Sequence, residues 1–183
     1  GRELAARTAE AIFTANQTLV DAQAFYADLK GRLARHGRRH EDLVIMPGIF
    51  PVLGGTEAEA KANYDFIQSL VHPVIAWSIL KQYYVGVDLS GYSLDDKAPP
   101  LPTDTELNKS RLKLVSDLAA RGLTLRELYL SLATARGHRT VVGTPEQVAD
   151  AIEEWFTQGA ADGFNIMPPI LPTALTDFTG TLQ

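Results

Sequence analysis

No cysteine occurs in the 183 residues. Disulfides and thiolate chemistry are therefore excluded, and the composition fits a cytoplasmic protein. Basic charge is also short. Seventeen Lys and Arg stand against 22 Asp and Glu, a net charge of -5, so the basic stripe of a nucleic-acid surface is not expected. No apolar run reaches the ~18 residues that span a bilayer, and no membrane partner is expected. HExxH, CxxC and paired-Asp patterns are missing, and His36, His40 and His72 do not have metal-ligand spacing; no metal is expected. What remains is 45% hydrophobic, enough for one domain that buries roughly 70% of its unfolded surface.

The most informative stretch runs from 141 to 169. A β-branched run meets Gly143, and Thr144-Pro145-Glu146-Gln147 then announces a helix, with Thr144 as N-cap, Pro145 at the first helical position and Gln147 closing a capping box. Val148, Ala151, Ile152, Trp155 and Phe156 make one apolar stripe. After Gly159 and a tight Ala-Ala-Asp-Gly link, Phe164 to Met167 reads as a buried strand stopped by Pro168-Pro169. A helix delivered into a short apolar strand is the unit of a parallel α/β fold.

Earlier segments read as copies of that unit. A helix is expected over 2–11 with Leu4, Ala5, Ala9 and Ile12 inward, then a strand over 11–16. A helix follows over 19–36, with Ala22, Tyr26, Leu29 and Leu33 on one face and Gly37 as left-handed cap. The next strand covers 42–50, where Pro47 demands an edge, a bulge or the strand's end. The capping box Thr56-Glu57-Ala58-Glu59 opens a helix to about 71. The pattern then breaks: 72–97 is aromatic and irregular, 98–104 is Pro-rich, and helices are expected over 105–121 and 125–134, the second capped by Thr124 and Glu127. The expected division is 1–71 as α-β-α-β-α repeats, 72–140 as an inserted block of helices and loops, 141–169 as the last helix and strand, and 170–183 as a tail. Only three strands are counted, and the chain opens in mid-helix without a Met, which reads as the later part of a longer fold.

Four segments, GRELAARTAEAIFTAN (1–16), LVIMPGIFPVLGGTEAEA (43–60), VVGTPEQVADAIEEWF (141–156) and DGFNIMPP (162–169), resemble the bacterial-luciferase-like flavin-dependent monooxygenases. The likeness is greatest to the branch of nitrilotriacetate monooxygenase component A and dibenzothiophene-sulfone monooxygenase. The resemblance implies the C-terminal half of a (β/α)8 TIM barrel, from helix 5 to strand 8, with an insertion before the last helix-strand unit. It implies a two-component enzyme that takes reduced FMN from a separate flavin reductase, uses O2, and oxygenates a small organic compound. An open half-barrel exposes strand edges, so a homo-oligomer is expected. The alternatives are a non-catalytic fragment that binds a ligand or partner, and an unrelated α/β barrel enzyme.

The same resemblance marks site residues. Gly1 and Arg2 fall where the family's phosphate-binding turn ends, at a helix N-terminus that favours an anion; an ordinary loop-to-helix junction is the plainer use. His138, between Gly137 and Arg139, falls in a loop beside the flavin pocket, where an imidazole donates or relays a proton; a solvated loop histidine is the plainer use. Arg139 offers charge to flavin or substrate. Asn16 and Asn165 are expected to point toward a barrel mouth or core, and Asn165 reads equally well as a satisfied buried amide. Gly54-Gly55-Thr56 reads as a capped turn, and Trp77, Tyr83, Tyr84 and Tyr92 as core packing or a substrate or subunit surface.

Overall fold

The computed structural model describes residues 1–102 and 109–181. Its contacts divide it into two compact units, 1–64 with 138–183, and 65–137. Among the described residues no helix is long and apolar enough to cross a membrane.

The first unit is an α/β layer on a parallel sheet. Helix α1 (Arg2–Thr8) leads into β1 (Ala11–Thr14), α2 (Leu19–Leu33) into β2 (Val44–Leu53), and α3 begins at Glu57 and runs to Ser69. β3 (Arg139–Gly143), α7 (Pro145–Thr157), β4 (Asn165–Ile166) and α8 (Thr173–Thr181) complete it. Every strand pairs with β2, and every pairing is parallel. Among the described residues there are thus four strands, one more than expected. The five residues Arg139–Gly143 (RTVVG) do not alternate apolar with polar, and their apolar centre reads equally well as a lead-in to α7.

Pro47 lies inside β2 and not at its end. β1 pairs with β2 from Val44 to Pro47, whereas β4 and β3 pair with it from Gly48 to Leu53. The proline stands where one ladder stops and the others start. Its missing N–H is tolerated there.

On the helix side, Ala6, Leu29, Leu33, Leu43 and Ile45 form a buried cluster with Ile12 against it. Ala22, Trp155 and Ala160 form a second, with Leu19 and Phe164. The expected stripes hold at Ala22, Leu29, Leu33, Val148 and Trp155. Leu4 and Phe156 are each 58% exposed, and Ala6 takes the core position in α1. A helix of seven residues presents less than two turns, too few for its apolar spacing to fix which face turns inward.

The second unit is helical: α4 (Pro73–Tyr83), α5 (Lys109–Ala120) and α6 (Leu125–Ala133). The expected start of the 105–121 helix lies outside the described residues. Ala76, Leu80, Tyr83, Tyr84, Val115, Leu118, Leu125, Leu128, Tyr129 and Leu132 make its core. Helix α4 replaces the irregular segment expected there. His72 caps it through Nδ1, which accepts from the Val74 N–H at 3.2 Å, and Pro73 occupies the first turn. Its period is masked because Val74 and Ile75 are apolar and yet exposed.

Candidate active site

Alternation along β1 fixes the first side chain. Ile12 packs toward α1 and α2, so Phe13 points to the other face of the sheet. The register Phe13↔Met46 puts Met46 on that face, and Gly48, two residues on, shares it. His138 comes to the same place along a turn in which Arg136 and Gly137 are both left-handed, with φ of 51° and 80°. A non-glycine residue in that region is a strained conformation that surrounding structure must hold.

The imidazole of His138 stacks on Phe13 with ring centroids 4.8 Å apart and planes 5° from parallel. A Cβ built on Gly48 would stand well inside contact distance of His138 Nδ1 and 2.8 Å from Phe13 Cε2. No φ in the left-handed range calls for glycine at this position; the two rings do. Phe13 is 57% exposed and Val44 39%, so this face of the sheet is apolar and open beside a half-buried histidine.

Arg139 does not join His138. It lies over the Trp155 ring at 4.4 Å and reaches Glu154 at 3.9 Å, on the helix side of the sheet. Burial pulls its guanidinium below the ordinary arginine range, against the opposing effect of Glu154. Neighbouring residues of a strand point to opposite faces, and the pair His138–Arg139 is split accordingly.

Gly1 is the N-cap of α1 and makes no side-chain cap bond. Nothing lies within 4 Å of where its Cβ would be. Arg2 pairs with Asp28 at 2.7 Å and covers the Phe25 ring at 4.9 Å, both on α2. The contacts of Arg2 and of His138 are therefore made with different elements. Asn165 is a satisfied amide whose Nδ2 donates to Met46 O at 2.9 Å. At the 54–56 turn the Gly55 N–H is met by Glu59 of its own helix at 2.9 Å, as in a capped turn. Tyr83 and Tyr84 are core, whereas Trp77 and Tyr92 line a cleft of about 400 Å³ in the helical unit with Lys81, Asp88 and Ser90.

Within the basic run 35–40, His36, Arg38 and Arg39 are engaged within the chain. Arg38 donates to the carbonyls of Ala6, Ala9 and Asp42, closing the C-terminal end of α1 and not that of its own helix. His36 bonds Glu3 at 2.8 Å, and Arg39 pairs with Asp42.

At the N-terminal end of β2 sits a dense polar cluster that sequence reasoning missed. Lys30, 7% exposed, bonds the carbonyls of His40 and Leu43 and the Asp162 carboxylate at 2.9 Å. Asp162 also accepts from Tyr26 Oη and from the Ile45 N–H, each at 2.7 Å. Its carboxyl has its pKa lowered: burial opposes ionisation, but Tyr26, Lys30 and the Ile45 amide together outweigh it. Burial and the Asp162 charge push the Tyr26 phenol far above its usual range.

Residues 1–162 match the family model described as luciferase-like monooxygenase. The chain belongs to the luciferase-like monooxygenase family. Among curated relatives, this luciferase-like chain is 48% identical over 180 residues to the N-acetyl-S-(2-succino)cysteine monooxygenase of Bacillus subtilis, covering 97% of this chain and 41% of that protein. It is 45% identical over 179 residues to nitrilotriacetate monooxygenase component A of Aminobacter aminovorans, covering 97% and 40%. Among solved structures it is similar to the EDTA monooxygenase of Chelativorans sp. BNC1, with TM-score 0.67, 29% identity, and coverage of 99% of this chain and 42% of that one. The luciferase-like chain thus spans about two fifths of the length of the relatives it matches. The resemblance read from 1–16, 43–60, 141–156 and 162–169 is that family.

Proposed function

We propose that the chain is the later part of a flavin-dependent, two-component monooxygenase that oxygenates a small organic compound with O2. The observation that carries this is the family match over 1–162. A histidine held on an open apolar sheet face supports it, as the kind of wall against which a planar ring system packs. We read the four parallel strands as the C-terminal half of a (β/α)8 barrel. The exposed Phe13 and Val44 side chains support that reading, since they lie on the face of β1 and β2 opposite the helices.

Reduced FMN, delivered by a separate flavin reductase, supplies the electrons that activate O2. The chain's own residues have simpler tasks. Phe13, Met46 and His138 bound the ring's pocket and exclude water. His138 holds or passes a proton beside it. Gly1 offers the unpaired amides of the first turn of α1 to the phosphate, and Arg2 adds positive charge that it shares with Asp28. The name "component A" of one relative supports a reductase partner. The three relatives named above act, by their names, on compounds rich in carboxylates, so a small polycarboxylate is the substrate class to screen first. The protein is proposed to work as a homo-oligomer.

Titration with FMN and reduced FMN, read by flavin fluorescence and absorbance, tests the reading. Micromolar binding of reduced FMN and substrate-dependent oxygen uptake with a flavin reductase support it. Binding without uptake points to the second reading, a protein that binds a ligand without turnover. No flavin binding at all overturns both. His138→Ala should keep flavin binding within a few-fold while lowering turnover by about 10²-fold or more.

A further inference from the structure

We propose that Phe13 and Gly48 are positioning residues for His138, which together fix the plane of its imidazole and turn Nδ1 toward the sheet and Nε2 away from it. The proposal rests on the reading of His138 as the proton-handling group, but the geometry that carries it is independent of any flavin.

Two constraints act on the ring. Phe13 sets the plane: the rings lie 5° from parallel with centroids 4.8 Å apart, within the range in which aromatic rings attract one another. Gly48 sets the depth: the space a Cβ would fill is taken by His138 Nδ1 and Cγ and by Phe13 Cε2. These are ring atoms on short side chains and not the tips of flexible ones, so neither can step aside without leaving the stack. Nδ1 is buried in this arrangement. Nε2, across the ring from Cγ, is then the nitrogen presented away from the sheet.

Phe13 is 57% exposed in this chain, and the ring contact it makes is the stack on His138. Gly48 does not have a positive φ, so backbone conformation does not require glycine. Behind the imidazole, the left-handed pair Arg136 and Gly137 delivers the chain at one angle. The three features converge on one ring.

The test is NMR of the protein with 15N-labelled histidine, reading the Nδ1 and Nε2 shifts and the ring protons of His138, with far-UV circular dichroism as the folding control. In the native chain a single tautomer and upfield-shifted His138 ring protons are expected, because the Phe13 ring current acts on them. Gly48→Ala should move those protons back by several tenths of a ppm while Phe13 is still present. Phe13→Leu should average the two nitrogen shifts toward those of a solvated histidine, and Phe13→Tyr should restore the native pattern. A folded Gly48→Ala with the upfield shift intact overturns the role of Gly48. Native nitrogen shifts in Phe13→Leu overturn that of Phe13, and this arm decides alone if Gly48→Ala does not fold. Loss of turnover in His138→Ala is a separate measurement, so a failed flavin reading and a failed positioning reading are told apart.

Discussion

At Ile45 the backbone N–H and C=O of β2 are both met by Asp162, the carbonyl by its amide and the N–H by its carboxylate. A few residues along the same strand, Gly48 offers no side chain, and two rings close over it. The first end is held by hydrogen bonds and charge: one lysine, one aspartate and one tyrosine tie α2, β2 and the approach to β4 together. The second is held by shape. The polar lock sits at the N-terminal end of β2 and Gly48 is the fifth of its ten residues, and the two places show what each demands. A lock wants saturated polar groups, because an unmatched one is expensive when buried. The His138 ring, by contrast, is placed by the stack on Phe13 and by the space Gly48 leaves.

The comparison is broken most severely at Lys30. Lys30→Ala leaves a partly buried carboxylate and two carbonyls without their shared cation and should cost about 3 kcal/mol, the low end for a broken buried pair, read as a lowered urea midpoint with unchanged slope. Gly48→Ala strikes the other end. Overpacking of this kind costs about 1–3 kcal/mol, so stability should fall no more than for Lys30→Ala, while the stack of His138 on Phe13 is displaced.

Acid sharpens the difference. Asp162 has its carboxyl pKa lowered in the folded chain, against about 3.9 when unfolded. Its contribution to stability is therefore complete above the unfolded value and is lost as pH falls through the folded one. Denaturation curves between pH 6 and pH 2.5 should show that loss in the native chain and a shallower one in Asp162→Asn. An identical acid dependence in the two would sink the assignment. The smallest effect is expected at Phe13: because the ring is mostly exposed, Phe13→Leu should cost under about 1 kcal/mol, with the change confined to His138.

Local chemistry was legible in the sequence, and cross-chain chemistry was not. The Thr144–Gln147 and Thr124–Glu127 boxes form as their spacing requires, and Gly37 and Gly159 are left-handed behind their helices. Each depends on residues within one turn. Lys30 and Asp162 have no such signature: the first sits in the last turn of α2, where a lysine is ordinary, and the second passes as a turn residue. His138 was visible only through the family resemblance, and its partners Phe13 and Gly48 belong to two other strands. Helix α4 escaped because apolar side chains surround it, although Pro73 behind a polar His72 was a start signal.

Pro47 has one more consequence. Because β1 is bonded to the strand before it, and β4 and β3 to the strand after it, β2 does not take part in one continuous ladder. Amide hydrogen exchange should resolve the strand into two blocks with separate opening rates. Fraying of Asn165 and Ile166 away from Gly48 and Ile49 would then leave the Ala11–Val44 pairing intact, and the site could breathe while the lock beneath it stays shut.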